Sequence, residues 1–249
     1  MSGHSKWATI KHKKGAQDKA RGKLFAKLIR QIEVAAREGG GDLGSNANLR
    51  SMVQKARDNS VPATTIDRAI KRGTGELEGV RYEAITYEGY GPGGVAVMVE
   101  CLSDNRNRTG ADVRSAFSKS GGSLAEPGAV SWQFSRKVVM VVDGSAPEED
   151  LMLAILAAGG EDLVRIDTDW QVTAPPGALG DLKAAVEEAG FAIQSLEVEL
   201  VPQSTLAIDD VSEAKKVLRL VDTLEDLDDV QNVIANFDIP DEFFEELDD

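Results

Sequence analysis

The chain has 249 residues, 42% of them apolar, which is enough to build packed cores and excludes wholesale disorder. Its one cysteine, Cys101, excludes an internal disulfide and any multi-cysteine metal site, and its two histidines, His4 and His12, leave little room for histidine-based catalysis. The net charge of −14 is spread unevenly: residues 1–73 carry 16 Lys and Arg against 6 Asp and Glu, the remainder 12 against 36. That asymmetry suggests a nucleic-acid-facing end joined to an acidic body.

Residues 1–15 are polar and basic and read as an extended arm. They lack the apolar stretch of a secretory signal, and the longest apolar run, 151–158, is far too short to span a bilayer. A cytoplasmic protein with no membrane partner is expected. From Ala16 to Arg37 the periodicity predicts a long helix. At about 100° per residue, Lys19, Lys23, Lys27, Arg30 and Arg37 fall within about 80° of one another. Leu24, Phe25, Leu28, Ile29, Ile32, Ala35 and Ala36 fall on the opposite side. The basic stripe is therefore expected to meet a phosphate backbone without disturbing the core, so that changing it should barely alter stability. Gly39-Gly40-Gly41 ends this helix.

A second helix is predicted over 46–58 and a third over 64–72, with Thr64 and Asp67 as a capping box and Gly73 as the stop. Lys71 and Arg72 add charge to the third. Three short amphipathic helices can cover one another's apolar stripes as a bundle, and a helix-turn-helix is one arrangement they permit.

After Gly75 the rhythm becomes that of strands. Segments 82–88 and 95–102 flank the glycine-rich run 89–94 as a hairpin, with Val95, Val97, Val99 and Cys101 alternating onto one face. A helix over 107–119 follows, then a strand over 130–134 running into 137–142. The next segments read strand 137–142, helix 147–158, strands 161–167 and 169–174, helix 177–189 and strand 191–200, the order of a split βαβ plait. A helix over 212–223 and a strand over 229–235 complete a second α+β unit that the plait interrupts. The C-terminal stretch 207–249 carries 15 acidic and 3 basic residues and reads as an acidic surface and tail.

Few residues suggest catalysis. The glycine-rich run lacks phosphate-loop spacing and joins two strands, so a hairpin turn explains it. Cys101 reads as core, and adjacent acids on helices point to different faces. Neither a cofactor nor a metal site is indicated, and a non-enzymatic protein is expected. Two basic constellations remain. One is the arm and first helix, with Lys6, Lys11, Lys13 and Lys14 leading into Lys19, Lys23, Lys27 and Arg30; it suits phosphates. Trp7 within it suits either stacking on a base or packing on the bundle. The other is Asn105-Arg106-Asn107-Arg108-Thr109 opening a helix, with Arg114 beyond, which suits either an anion site or a capped helix with surface arginines.

The segments GHSKWATIKHKKGAQDKARGKLFAKLIRQI, KARDNSVPATTIDRAIKRGTG, YEGYGPGGVAVMVECLSDNRNRT and DDVQNVIANFDI together resemble the YebC/PmpR family. The resemblance covers nearly the whole chain. Val138 and Ile234 depart from residues common in the family, at positions that look structural. The resemblance implies an α+β protein: an N-terminal three-helix bundle followed by two ferredoxin-like plait domains, one inserted in the other. The boundaries expected are 1–76 for the basic domain, 77–134 with 203–249 for the discontinuous domain, and 135–202 for the insert. Members are described as probable transcriptional regulators, and a mitochondrial branch activates translation. The expected function is a DNA-binding regulator of transcription acting through the basic domain. The alternative is a translation factor that contacts the ribosome through its RNA.

Overall fold

The computed structural model describes residues 17–240 and residue 243. Lys6, Lys11, Lys13, Lys14, Trp7 and both histidines lie outside the described residues, as does the side chain of Lys19.

Three helices, α1 (Gln17–Gly39), α2 (Ala47–Asp58) and α3 (Ala63–Thr74), enclose a first apolar core of Leu28, Ile32, Leu49, Val53, Ile66 and smaller neighbours. Asn46 joins two of them. Its carboxamide oxygen accepts from the Leu49 amide at 3.0 Å, while its Nδ2 donates to the carbonyls of Ala35 and Gly40, both at 2.8 Å. The capping box expected of Thr64 and Asp67 does not form: α3 starts one residue earlier, behind Pro62, without a side-chain cap. Gly73 is not the stop either. The helix runs to Thr74 and Gly75 caps it in the left-handed region. Gly73 is instead where α3 touches α1, because a Cβ there would lie 2.5 Å from the Glu33 carbonyl oxygen and 2.7 Å from the Ala36 Cβ.

Beyond the exposed connector 75–81, β1 (Glu83–Tyr90) and β2 (Ala96–Ser103) form an antiparallel hairpin. Its turn places Gly93 and Gly94 at positive φ, which explains the glycine-rich run. Then come α4 (Arg106–Lys119) and the short β3 (Ser123–Leu124). The chain next makes β4 (Phe134–Val142), α5 (Glu148–Ala157), β5 (Asp162–Ile166), β6 (Asp169–Ala174), α6 (Leu179–Glu188) and β7 (Ile193–Pro202). It closes with β8 (Leu206–Ala207), α7 (Val211–Glu225), β9 (Val230–Ala235) and β10 (Phe237–Asp238).

The sheet of β4 to β7 has the order β5-β6-β4-β7 with every pair antiparallel, the strand order of a ferredoxin-like plait. Its core, around Met140, Leu151, Val172 and Leu182, is covered by α5 and α6. The other four-stranded sheet runs β3-β1-β2-β9. It has the same layering with the hairpin at its centre: α4 and α7 pack Phe117, Leu220 and Leu224 against Val97, Val99 and Cys101 on one face. Residues 131–133 form a 3-10 turn rather than strand, and β4 begins at Phe134.

The reverse face of that sheet is also covered. Ala96 and Met98 of β2 and Ile234 of β9 pack on Val130 and Phe134, with Leu200 of β7 alongside. Glu88 orders the segment that leads there. Its carboxylate accepts from the amides of Gly128, Val130 and Ser131 at 2.8, 2.8 and 2.9 Å. Burial pushes the Glu88 carboxyl up, but the three amide donors outweigh it and hold the group below its ordinary value.

Candidate nucleic-acid interface

The basic face of α1 is occupied. Lys23 lies against the end of α7, with its Nζ 2.7 Å from Asp226 Oδ1 and 3.1 Å from the Asp226 carbonyl oxygen. Lys27 Nζ donates to the Glu225 carbonyl at 3.3 Å. Arg30 reaches furthest: it donates to the Asp228 carbonyl, meets Asp229 Oδ1 at 3.0 Å and stacks over the Tyr82 ring at 5.3 Å. Gln31 and Gln231 complete the seam with a 3.3 Å hydrogen bond. Cations at a helix C-terminus are favourable because the last carbonyls have no intrahelical donor and carry the negative end of the helix dipole. The acids that follow α7 add formal charge to that end.

The expectation of a freely solvated stripe is therefore corrected. The Arg30 side chain is only 18% exposed, because it bridges two units of the molecule. A substitution at Arg30 would therefore also remove a contact between units, which the expectation of unchanged stability did not include. Arg37 is also engaged, donating to the Val80 carbonyl at 3.1 Å. Arg72 serves the bundle itself, its Nε donating to the buried Glu33 carboxylate at 2.6 Å. Lys71 is exposed at the surface of α3, on the same side as Arg68. Arg57, on α2, is also exposed and was not picked out by sequence reasoning.

The arginine motif opens α4 as a capped helix, and its Arg108 and Thr109 hold the chain's own Asp229. Asn105 caps the helix by accepting from the Arg108 amide at 3.1 Å. Asp229 Oδ2 receives the Thr109 hydroxyl at 2.6 Å, the Ser103 hydroxyl at 3.1 Å and Arg108 NH2 at 2.8 Å. Arg108 also pairs with Asp104 at 2.7 Å, and these partners raise its pKa. Burial pushes the Asp229 carboxyl up, but hydrogen bonds from Thr109, Arg108 and Ser103 prevail and hold it below the ordinary value. Arg106 and Arg114 remain exposed on the same helix. Asp229 thus joins Arg30 of the bundle to Arg108 of the sheet unit. Nothing local in the sequence marked Asp229 out among its acidic neighbours.

Between these groups lies a cleft of about 620 Å³, lined by Arg30, Tyr82, Asp104, Arg108, Asp112 and the 226–229 segment. No group of three or more potential metal ligands occurs among the described residues, and no described helix is long and apolar enough to cross a membrane.

A three-helix basic unit joined to an acidic α+β body, with a plait set into the body's sheet, defines a multi-unit protein whose most distinctive surface is ionic. Comparison with known proteins gives the family. A family model described as the TACO1/YebC protein N-terminal domain matches residues 5–76, and one described as the TACO1/YebC second and third domain matches residues 82–237. The chain belongs to the TACO1/YebC family. A probable transcriptional regulatory protein of Halothermothrix orenii is 54% identical over 250 residues, covering 99% of both chains. Another, of Geobacter sulfurreducens, is 51% identical over 247 residues, covering 99% of this chain and all of the relative. The crystal structure of a conserved hypothetical protein, Aq1575, from Aquifex aeolicus superposes with a TM-score of 0.81 at 44% identity, covering 92% of this chain and 95% of that one.

Proposed function

We propose that the protein is a regulator of gene expression that binds DNA through its basic N-terminal unit and acts in the cytoplasm without catalysing a reaction. The observation that carries this reading is the charge partition, 16 cations against 6 acids over residues 1–73 and the reverse excess beyond. A unit so charged attracts a polyanion, while the acidic body repels it and confines contact to one end. The names of the relatives, probable transcriptional regulatory proteins, point the same way.

The phosphate contacts fall to Lys6, Lys11, Lys13, Lys14, Lys19 and Lys71, and to Lys23, Lys27 and Arg30 once they leave their carboxylate and carbonyl partners. Arg106 and Arg114 offer a second exposed pair. Such contacts position a nucleic acid without reading its bases. The test is a salt titration of binding by the whole protein to duplex DNA and to a structured RNA. Changing Lys6, Lys11, Lys13 and Lys14 together to Gln should flatten the slope of log K against log[salt] on duplex DNA by about 3 to 4 units. Tighter binding to RNA would move the assignment to a ribosomal RNA ligand, and no salt-dependent binding to either would overturn the reading.

A further inference from the structure

The acidic segment 225–229 presents to α1 what a phosphate strand would present: carboxylate charge from Asp226 and Asp229, interleaved with the carbonyl oxygens of Glu225, Asp226 and Asp228. We propose that this segment is an intramolecular latch, which covers the nucleic-acid-binding face of α1 until a polyanion competes for it. The proposal rests on the functional reading above and adds to it a closed and an open state.

Three features separate a latch from a permanent domain boundary. First, the seam is polar. The core of the bundle and the core beneath α4 and α7 share no residue among the described residues, and each closes on its own. Boundaries held by polar contacts permit relative motion of the units they join. Secondly, the outer ion pair is wet: the Lys23 side chain is 30% exposed and that of Asp226 is 74% exposed. Exposed pairs contribute little and are screened by salt, so a phosphate array can displace them.

Thirdly, parting α1 from the 225–229 segment leaves no stranded charge. When Arg30 withdraws, Asp229 keeps Arg108, Thr109 and Ser103, all from its own unit. The α7 carbonyls that lose Lys23 and Lys27 lie in a segment where Asp226 and Asp228 are already exposed to water. The start of α4 thus acts as a holder. It keeps the Asp229 carboxylate charged and in place so that Arg30 can return to it. The connector 75–81, exposed throughout, supplies a joint about which the bundle can swing once two ties are released: Arg37 on the Val80 carbonyl, and the Lys55–Glu197 ion pair to β7, 2.8 Å long and open to water on both sides.

The test measures binding of the full chain to a short labelled DNA duplex by fluorescence anisotropy. The latch variant is Asp226→Asn with Asp228→Asn. The control is Glu148→Gln with Glu149→Gln, which removes the same charge from an exposed helix start in the plait. If the closed state dominates, the apparent affinity of the wild type is reduced by the fraction that is open. The latch variant should then bind about 3- to 10-fold more tightly than wild type. Its salt slope should be steeper by about one unit, since fewer internal ion pairs must be broken on binding. The control should bind like wild type. Equal affinity of latch variant and control would overturn the latch while leaving the functional reading intact. Absence of DNA binding by every form would overturn both.

Discussion

Two seams of this molecule are made differently. The one between the central sheet and the inserted plait has an apolar centre: Ala96, Met98, Val130, Phe134 and Ile234 close it, Glu88 pins the segment that crosses it, and one ion pair, Arg136 with Glu100 at 3.6 Å, lies at its edge. The one between the bundle and the acidic end of α7 is ionic, built from Lys23, Lys27 and Arg30 on carboxylates and carbonyls. Burial of apolar surface is insensitive to competing ions, so the first seam is fixed. Its outer pair, Lys23 with Asp226, is exposed and exchanges one anion for another at little cost, and Asp229 keeps Arg108, Thr109 and Ser103 when Arg30 leaves, so the second can open. The contrast explains how one chain can carry both a strongly basic and a strongly acidic unit: across the ionic seam each is the other's counterion.

The largest effect is expected at the apolar seam. Phe134 is 5% exposed, and Phe134→Ala should cost about 3 kcal/mol of unfolding free energy in a urea titration, by loss of transfer free energy and the cavity left behind. A loss below about 1 kcal/mol would show that this seam collapses readily and is no firmer than the ionic one.

Asp229 comes next, because it belongs to both the ionic seam and the sheet unit. Asp229→Ala removes the acceptor of Thr109, Ser103, Arg108 and Arg30 and should cost about 2 kcal/mol, moderated by solvent around the half-exposed Arg108. Its pH signature is distinctive. The Asp229 and Glu88 carboxyls titrate below their ordinary values of 3.8 and 4.5 in the folded protein, so the unfolded chain takes up protons first. The stability they confer is whole above those values and is lost as the pH falls through the lowered ones. Asp229→Asn should therefore shrink the acid-side loss of stability, and an unchanged pH profile would count against the charged network.

Gly73→Ala probes the bundle alone. The added methyl would meet the Glu33 carbonyl oxygen at 2.5 Å, and forcing α1 from α3 should cost about 1–3 kcal/mol. The smallest effect belongs to Asp226→Asn, whose exposed pair should change stability by no more than about 0.5 kcal/mol, although it weakens the seam.

Much of this was legible from local pattern. The apolar and basic faces of α1 follow from helical periodicity, and Leu28, Ile32, Ala35 and Ala36 are buried as that periodicity requires. The strand 169–174 and the order of the plait follow from alternation and turn residues. What escaped was set by distant partners. Gly73 reads as a helix stop until α1 is placed against it. The run 130–134 reads as strand by composition, yet Glu88, some forty residues earlier, draws its amides into a turn. Above all, the stripe on α1 reads as solvent-facing because its counterions lie 198 to 203 residues away. Periodicity shows which residues share a face but not what covers it.

The difference between the seams can be measured directly by energy transfer in the full chain. One dye pair, on Ser51→Cys and Lys215→Cys, spans the ionic seam, and a second, on Glu148→Cys and Lys215→Cys, spans the apolar one; all three positions are exposed. Cys101 is buried, with its thiol pushed up to about 12 by desolvation, and should not label. Adding duplex DNA should lower transfer across the ionic seam, as should raising the salt concentration without DNA, while transfer across the apolar seam stays constant. Unchanged transfer in both pairs at saturating DNA would contradict the account, since α1 would then be bound to its carboxylate and carbonyl partners whether or not nucleic acid is present.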